Sequence, residues 1–262
     1  KKKILAFDPK LHSINEVKKM QKIYEFTKIK LNFLEKNPID INWHNQPKRP
    51  RSSVFIHPKK YSGEESFKKI KKIRFFLLKN NIDFYFLNSL DSIAWLLNIR
   101  GNDIAKTPLI QSHIIIPKSG KIELFINKEK ILNKNVIDYL KSLVNIYPEE
   151  NIDRYIYSIK KNKIIGMDDN ITSFFFKNIC NKVNLKTNNF ENPCLYPKAI
   201  KNKIELKGAK NANLRDGISV TKFIHWLKTK RINNHTDEIL AAKKLFNFRK
   251  NNYLFYSLSF DT

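Results

Sequence analysis

Between residues 113 and 185 short β-rich runs alternate with amphipathic helical patterns, and this alternation restricts the fold more than any other feature of the chain. His113-Ile114-Ile115-Ile116 and Ile122-Glu123-Leu124-Phe125-Ile126 are separated by Pro117-Lys118-Ser119-Gly120, a hairpin-length turn. The pattern beyond predicts a helix over 136–141, a strand over 144–147 and a helix over 152–159. A strand over 163–167, a helix over 172–181 and a last sheet edge near Leu185 follow. Strands and helices of these lengths in alternation predict an α/β domain with a mixed sheet.

Upstream, residues 3–7 read as a short strand ending at Asp8-Pro9. Ser13 and Glu16 have capping-box spacing, and Val17, Met20, Ile23 and Tyr24 give the following helix an apolar face. A strand near 29–31 completes a strand–helix–strand opening. With a first residue that is lysine and not methionine, the opening is expected to be the tail of a domain whose start is absent. Residues 44–60 hold three prolines among basic residues, a linker composition, although Val54-Phe55-Ile56 suits docking on a neighbour. Ser62 and Glu65 form a second expected capping box, ahead of a helix carrying Phe67, Ile70, Ile73, Arg74 and Leu77 and ending at Asn80-Asn81.

After a strand over 83–87 comes the most individual stretch, residues 88–103. Ser89 and Asp91 suit a helix start, the carboxylate offsetting the dipole. Trp95 in the apolar helix 93–97 is a core anchor. Gly101, between Arg100 and Asp103, is expected to take positive φ and turn the chain sharply. The stretch is a core helix with a tight turn, or one wall of a cleft. Past Pro197 a long helix is expected over 203–230, with Ile204, Leu206, Leu214, Ile218, Val220, Phe223, Ile224 and Leu227 apolar and Gly208 and Gly217 inside it. Thr236 opens a further helix through Phe248, and residues 257–262 form an apolar β-like run, where a domain is interrupted.

Chemistry is harder to find. The six histidines (12, 44, 57, 113, 225 and 235) are scattered over separate elements, none in a metal-ligand spacing, and His113 and His225 read as packing residues. No phosphate-binding glycine loop or nucleophile elbow occurs. Asp168-Asp169 has the composition of an acid–base pair, but an acidic pair before a helix near Thr172 reads as dipole compensation. Cys180 and Cys194 lie outside any CxxC or Cys/His cluster, so neither a metal site nor a disulfide framework is expected and a reducing compartment fits. No catalytic, cofactor-binding or metal-ligating residue is therefore assigned.

Hydrophobic content of 42% with 12% aromatics describes a folded chain. The net charge of +26 points on its face to nucleic acid or an anionic membrane. Yet only eight of the 50 basic residues are arginine, the lysines are dispersed, and asparagine and isoleucine are raised with them. That is compositional drift, and neither partner is expected. No apolar run approaches the roughly 18 residues of a membrane span and no signal peptide opens the chain, so a cytoplasmic protein is expected.

One family does match these residues. Asp91-Ser-Ile-Ala-Trp95-Leu-Leu-Asn98-Ile-Arg100-Gly101-Asn-Asp103-Ile104 with Pro108 resembles the middle domain of the three-domain Xaa-Pro aminopeptidases (aminopeptidase P), creatinase/prolidase-type metallopeptidases. Lys198-Ala-Ile-Lys201-Asn202, Glu205-Leu-Lys-Gly208, Arg215-Asp216-Gly217 and Phe223-Ile-His225-Trp226-Leu227 resemble that family's entry into its catalytic domain, which Phe248-Arg249 and Ser259-Phe260-Asp261-Thr262 continue. Phe55-Ile-His57-Pro58 and residues 61–66 are similar to the start of the middle domain, and Phe7-Asp8-Pro9 with Ser13 to the end of the first.

The resemblance implies an α/β, creatinase N-terminal-like mixed-sheet domain over 61–197. Residues 1–45 would be the tail of a similar first domain, 46–60 a linker, and 198–262 the first helices of an incomplete pita-bread peptidase domain. The family removes the N-terminal residue before proline from peptides, using two divalent metals, usually manganese, and is dimeric. Its ligands, two aspartates, a histidine and two glutamates, all lie downstream of Thr262. Asp261 is not one of them, so no metal role is carried over and the chain alone is expected to be inactive. The alternative is a non-catalytic dimerisation or binding module, or the partner of a separately encoded catalytic half.

Overall fold

The computed structural model describes residues 3–229 and 237–260; His235, Thr236, Asp261 and Thr262 lie outside them. The chain opens with β1 (Lys3–Phe7), α1 (Ile14–Glu25) and β2 (Ile29–Phe33), then a short α2 (Pro38–Asn42). β1 and β2 pair in parallel, as the crossover helix between them requires. The capping box at Ser13 is present: its side chain accepts from Glu16 N, and Glu16 accepts from Ser13 N at 2.7 Å.

The centre is a six-stranded mixed sheet. Its strands are β4 (Phe84–Leu87), β6 (His113–Pro117), β7 (Ile122–Phe125), β8 (Val144–Tyr147), β9 (Ile164–Met167) and β10 (Lys186–Asn189), in the order β10-β9-β4-β6-β7-β8. The expected hairpin is β6–β7, antiparallel, with Gly120 at φ 89° in its turn. The flanking pairs β9–β10, β4–β9 and β7–β8 are parallel.

Period-two alternation divides the side chains between two cores. Ile114, Ile116, Ile122 and Leu124 face α4 (Ser66–Lys79), α5 (Leu90–Leu96) and α6 (Lys134–Leu143). Ile115 and Phe125 face α7 (Ile152–Ser158) and α8 (Phe174–Lys182). Each such fully buried side chain contributes about 1.5–3 kcal/mol, so a one-residue slip of β6 would reverse both layers.

Three local expectations fail. Ser62 does not cap the long helix: it ends a separate turn, α3 (Lys59–Ser62), because Gly63 goes left-handed at φ 71°. Glu65 stands at the cap of α4 without a side-chain cap bond and pairs with Lys59 at 2.6 Å instead. Phe67, assigned to the apolar face, is exposed, while Lys69 is buried. The C-terminal helix is capped by Asp237, which accepts from Leu240 N; the expected opening residue, Thr236, lies outside the described residues. Residues 257–260 form no strand. Within the proline-rich stretch β3 (Phe55–Ile56) pairs with β5 (Ile99–Arg100), and Val54 is buried in the core.

The opening unit docks on the six-stranded domain at α8. Phe7, Val17 and Phe174 form a small core with Met20 and Leu31, and Ser13 and Ser173 form an antiparallel bridge.

Candidate functional site

The stretch 88–103 is more buried than its charged residues suggest. Lys69 Nζ donates to Trp95 O at 2.9 Å and Asn98 Oδ1 at 2.7 Å, and lies 4.6 Å from the centre of the Trp95 ring. Burial pushes this ammonium down to about 8, against the pull of Glu205 and Glu64. Arg100 turns inward, donating to Ala94 O at 2.7 Å and Ile99 O at 2.8 Å, and burial lowers it too. His57 is brought down to about 4 by burial, then by Arg100 and Lys69, and is neutral at pH 7. Three basic side chains thus occupy one interior region.

Gly101 does not make the turn. The left-handed residue is Asn98, at φ 48°, held by donation from its Nδ2 to Glu64 O. Glycine is required at 101 for closeness: a Cβ there would lie 2.5 Å from Ile110 Cγ1, nearer still to Cδ1, and 3.2 Å from Ser53 O. Asp103 is a staple, accepting from Lys130 Nζ at 2.6 Å and from Ser52 N, Ser52 Oγ and Gln111 N. Burial pushes its carboxyl up, but these bonds together outweigh burial and hold it below the usual range.

The outward-facing member of the loop is Asn102, whose Oδ1 accepts from Tyr256 Oη at 2.6 Å, while Phe55 packs on the Tyr256 ring. This loop therefore meets the C-terminal unit, which comprises α10 (Lys203–Thr229) and α11 (Glu238–Lys250). Asn202 joins that unit to the domain. Its Oδ1 accepts from Ile204 N and Glu205 N, its own N donates to Glu205 Oε2, and its Nδ2 donates to Ser62 O at 2.8 Å. Gly63 gives it room, since a Cβ there would lie 2.6 Å from Asn202 Cγ and Nδ2. Ahead of it is α9 (Leu195–Ala199), where Lys198 pairs with Asp91. Burial pushes Asp91 up, but Lys198 and Ser89 hold it below its usual value. Arg249 clamps Asp216 with two bonds, at 2.7 and 3.1 Å.

Helix α10 is docked at its start and packed on α11, and the rest of its surface is open. Ser219 is its one buried residue, and Ile204, Leu206, Leu214, Ile218 and Ile224 of the expected apolar set are exposed.

The remaining candidates are dispersed. Asp168 and Asp169 are buried but committed to structural bonds, not to the dipole of α8, which starts only at Phe174. Asp168 accepts from Asn170 N and Asn192 N, and Asp169 pairs with Lys18 of α1. His113, brought down to about 4 by burial and then by Arg49, stacks on Phe86. Burial raises the thiols of Cys180 and Cys194 to about 11 and about 12. Among the described residues no three His, Cys, Asp or Glu side chains form a group able to hold a metal ion. The donor set of a two-metal centre is therefore not assembled from these residues, and no reaction step is derived through one. Among them, too, no helix is long and apolar enough to cross a membrane.

Two side-chain cores around a mixed sheet, with polar groups spent on loop closure and docking, define an α/β domain built to pack against neighbours on both sides. The chain belongs to the creatinase/prolidase N-terminal domain family, whose model matches residues 45–205. It is 35% identical to Xaa-Pro aminopeptidase 1 of Dictyostelium discoideum over 82% of this chain and 34% of that protein. It is 32% identical to a probable Xaa-Pro aminopeptidase P of Talaromyces marneffei over 99% of this chain and 41% of that protein. The chain thus spans less than half the length of these relatives. The crystal structure of X-prolyl aminopeptidase from Caenorhabditis elegans, described as a cytosolic enzyme with a di-nuclear active site, superposes with a TM-score of 0.89 at 26% identity. That match covers 98% of this chain and 43% of the other.

Proposed function

We propose that this chain is the non-catalytic portion of a metal-dependent, cytoplasmic Xaa-Pro aminopeptidase, together with the helices that lead into its catalytic domain. The observation that carries the proposal is the state of α10. The domain anchors its N-terminus through Asn202, yet Ile204, Leu206, Leu214, Ile218 and Ile224 remain in solvent. A helix so anchored and so exposed is built to be covered by further protein. In the whole enzyme that protein would hold the two divalent metals, manganese in this family, and the chain alone would neither bind them as a pair nor cleave peptides. Its own residues position: Asn202, Lys198 and Tyr256 orient the helix pair against the loop 99–103.

The test is direct. Purified chain supplied with Mn²⁺ and an Xaa-Pro peptide is expected to release no N-terminal residue, and release would overturn the proposal. The second reading, a dimerisation module or partner of a separate catalytic half, is favoured by the same exposed face. It predicts concentration-dependent association in sedimentation, or activity restored by a catalytic half supplied in trans. A strict monomer that gains no activity would remove it.

A further inference from the structure

Two parts of this chain repeat one another. Lys, Ile, Asp and Ser recur at 3 and 163, 4 and 164, 8 and 168, and 13 and 173, a constant offset that continues through strand, loop and helix start. Asp8 Oδ1 accepts from Lys10 N, and Asp168 Oδ1 accepts from Asn170 N. Leu11 N donates to Asp8 O, and Ile171 N to Asp168 O. In each unit the helix then returns to a parallel strand.

The two units meet each other across a local two-fold axis at the Ser13–Ser173 bridge. Ile14 N donates to Thr172 O at 2.9 Å, and its equivalent Phe174 N donates to His12 O at 2.8 Å. Asn15 N donates to Asp169 O at 2.9 Å, and its equivalent Phe175 N donates to Pro9 O at 2.9 Å. The middle domain therefore offers two donors, Phe174 N and Phe175 N, and two acceptors, Thr172 O and Asp169 O. They are placed so that the same face of another chain, turned through the two-fold, would present matching groups: a self-complementary surface.

We propose that the face formed by residues 168–176 binds the same face of a second copy of this chain, as a two-fold dimer through Ser173, whenever the unit 3–33 is displaced from it. In the dimer Phe174 N donates to the partner copy's Thr172 O and Phe175 N to its Asp169 O, with the reciprocal pair closing the set. The internal unit wins in the intact chain for three reasons. It is tethered, so its effective concentration is on the order of millimolar. It places Val17 in the core beside Phe174, where a second copy would bring Lys177, and it supplies Lys18 to Asp169. The internal unit is thus a cap on an interface the domain can make with itself.

The experiment uses the full chain with Ser173→Cys, in the wild-type background and with Val17→Asp to displace the unit. Directly opposed residues in such a bridge lie about 4.5 Å apart at Cα, within the range a disulfide spans. Under mild oxidation the Val17→Asp chain is expected to give a covalent dimer, mapped by peptide mass to position 173 in both copies. In the wild-type background no link forms at 173, and adding Phe174→Asp abolishes the link in the displaced chain. Lys160→Cys, at an exposed site remote from the axis, is expected not to cross-link. A displaced chain with an intact middle-domain unfolding transition and no link at 173 overturns the proposal, as does equal linking at 160. If Val17→Asp unfolds the domain, Lys18→Glu, which opposes two carboxylates at Asp169, displaces the unit and is judged by the same two outcomes.

Discussion

Gly63→Ala tests how the domain holds its outgoing helix. At φ 71° an alanine costs about 1 kcal/mol in backbone strain. Its Cβ also evicts the Asn202 side chain, removing the cap on Ile204 N and Glu205 N, about 1 kcal/mol. The bond from Asn202 Nδ2 to Ser62 O, about 1 kcal/mol, is lost as well. The single variant should therefore lose about 3 kcal/mol of docking stability, and Asn202→Ala about 2. In the double variant the eviction has nothing left to remove, so the loss stays near about 3 and the cycle shows a coupling of about 2 kcal/mol. Urea unfolding followed by tryptophan fluorescence measures the totals, and hydrogen exchange at the Ile204 and Glu205 amides reads the cap directly. If the two losses simply add, Gly63 is not making room for Asn202 and the account of the junction is wrong.

Other expectations follow from the same loop. Gly101→Ala drives a methyl into Ile110 and should cost about 1–3 kcal/mol, measured as a shift of the urea midpoint, although φ at 101 is not positive. Lys130→Met leaves Asp103 buried without its cation and should cost about 3–5 kcal/mol in the same assay. Lys69 has a folded value of about 8, below its ordinary 10.5, so in that pH window the unfolded chain holds the extra proton and stability rises with pH. The rise should amount to about 3 kcal/mol, and Lys69→Met should flatten it; an unchanged slope in the variant would show that Lys69 does not titrate there.

How much of this was legible varied with the range of the interaction responsible. The Ser13–Glu16 capping box lies within one turn, and it formed as spaced. The Ser62–Glu65 pair had the same spacing and failed, because Gly63 between them breaks left to receive Asn202 from 139 positions further along. The repeat at offset 160 was present in the letters, in Lys, Ile, Asp and Ser, but is hard to see without the bridge that relates its copies. The repeat makes Asp168 the counterpart of Asp8, a loop-closing carboxylate and not a charge offsetting the dipole of α8.

The sequence by itself determined what depends on near neighbours and on period: the hairpin at 117–120, the strand–helix alternation and the family motifs around Trp95. Only the tertiary structure decided what depends on distant chain. A lysine in a helix reads as solvated until Trp95 and Asn98 close over it, as they do over Lys69. A glycine between charges reads as a turn until Ile110 occupies the space its side chain would need. In both cases the physical cause is burial. It is set by which residues the fold brings together, and no window of the sequence contains them.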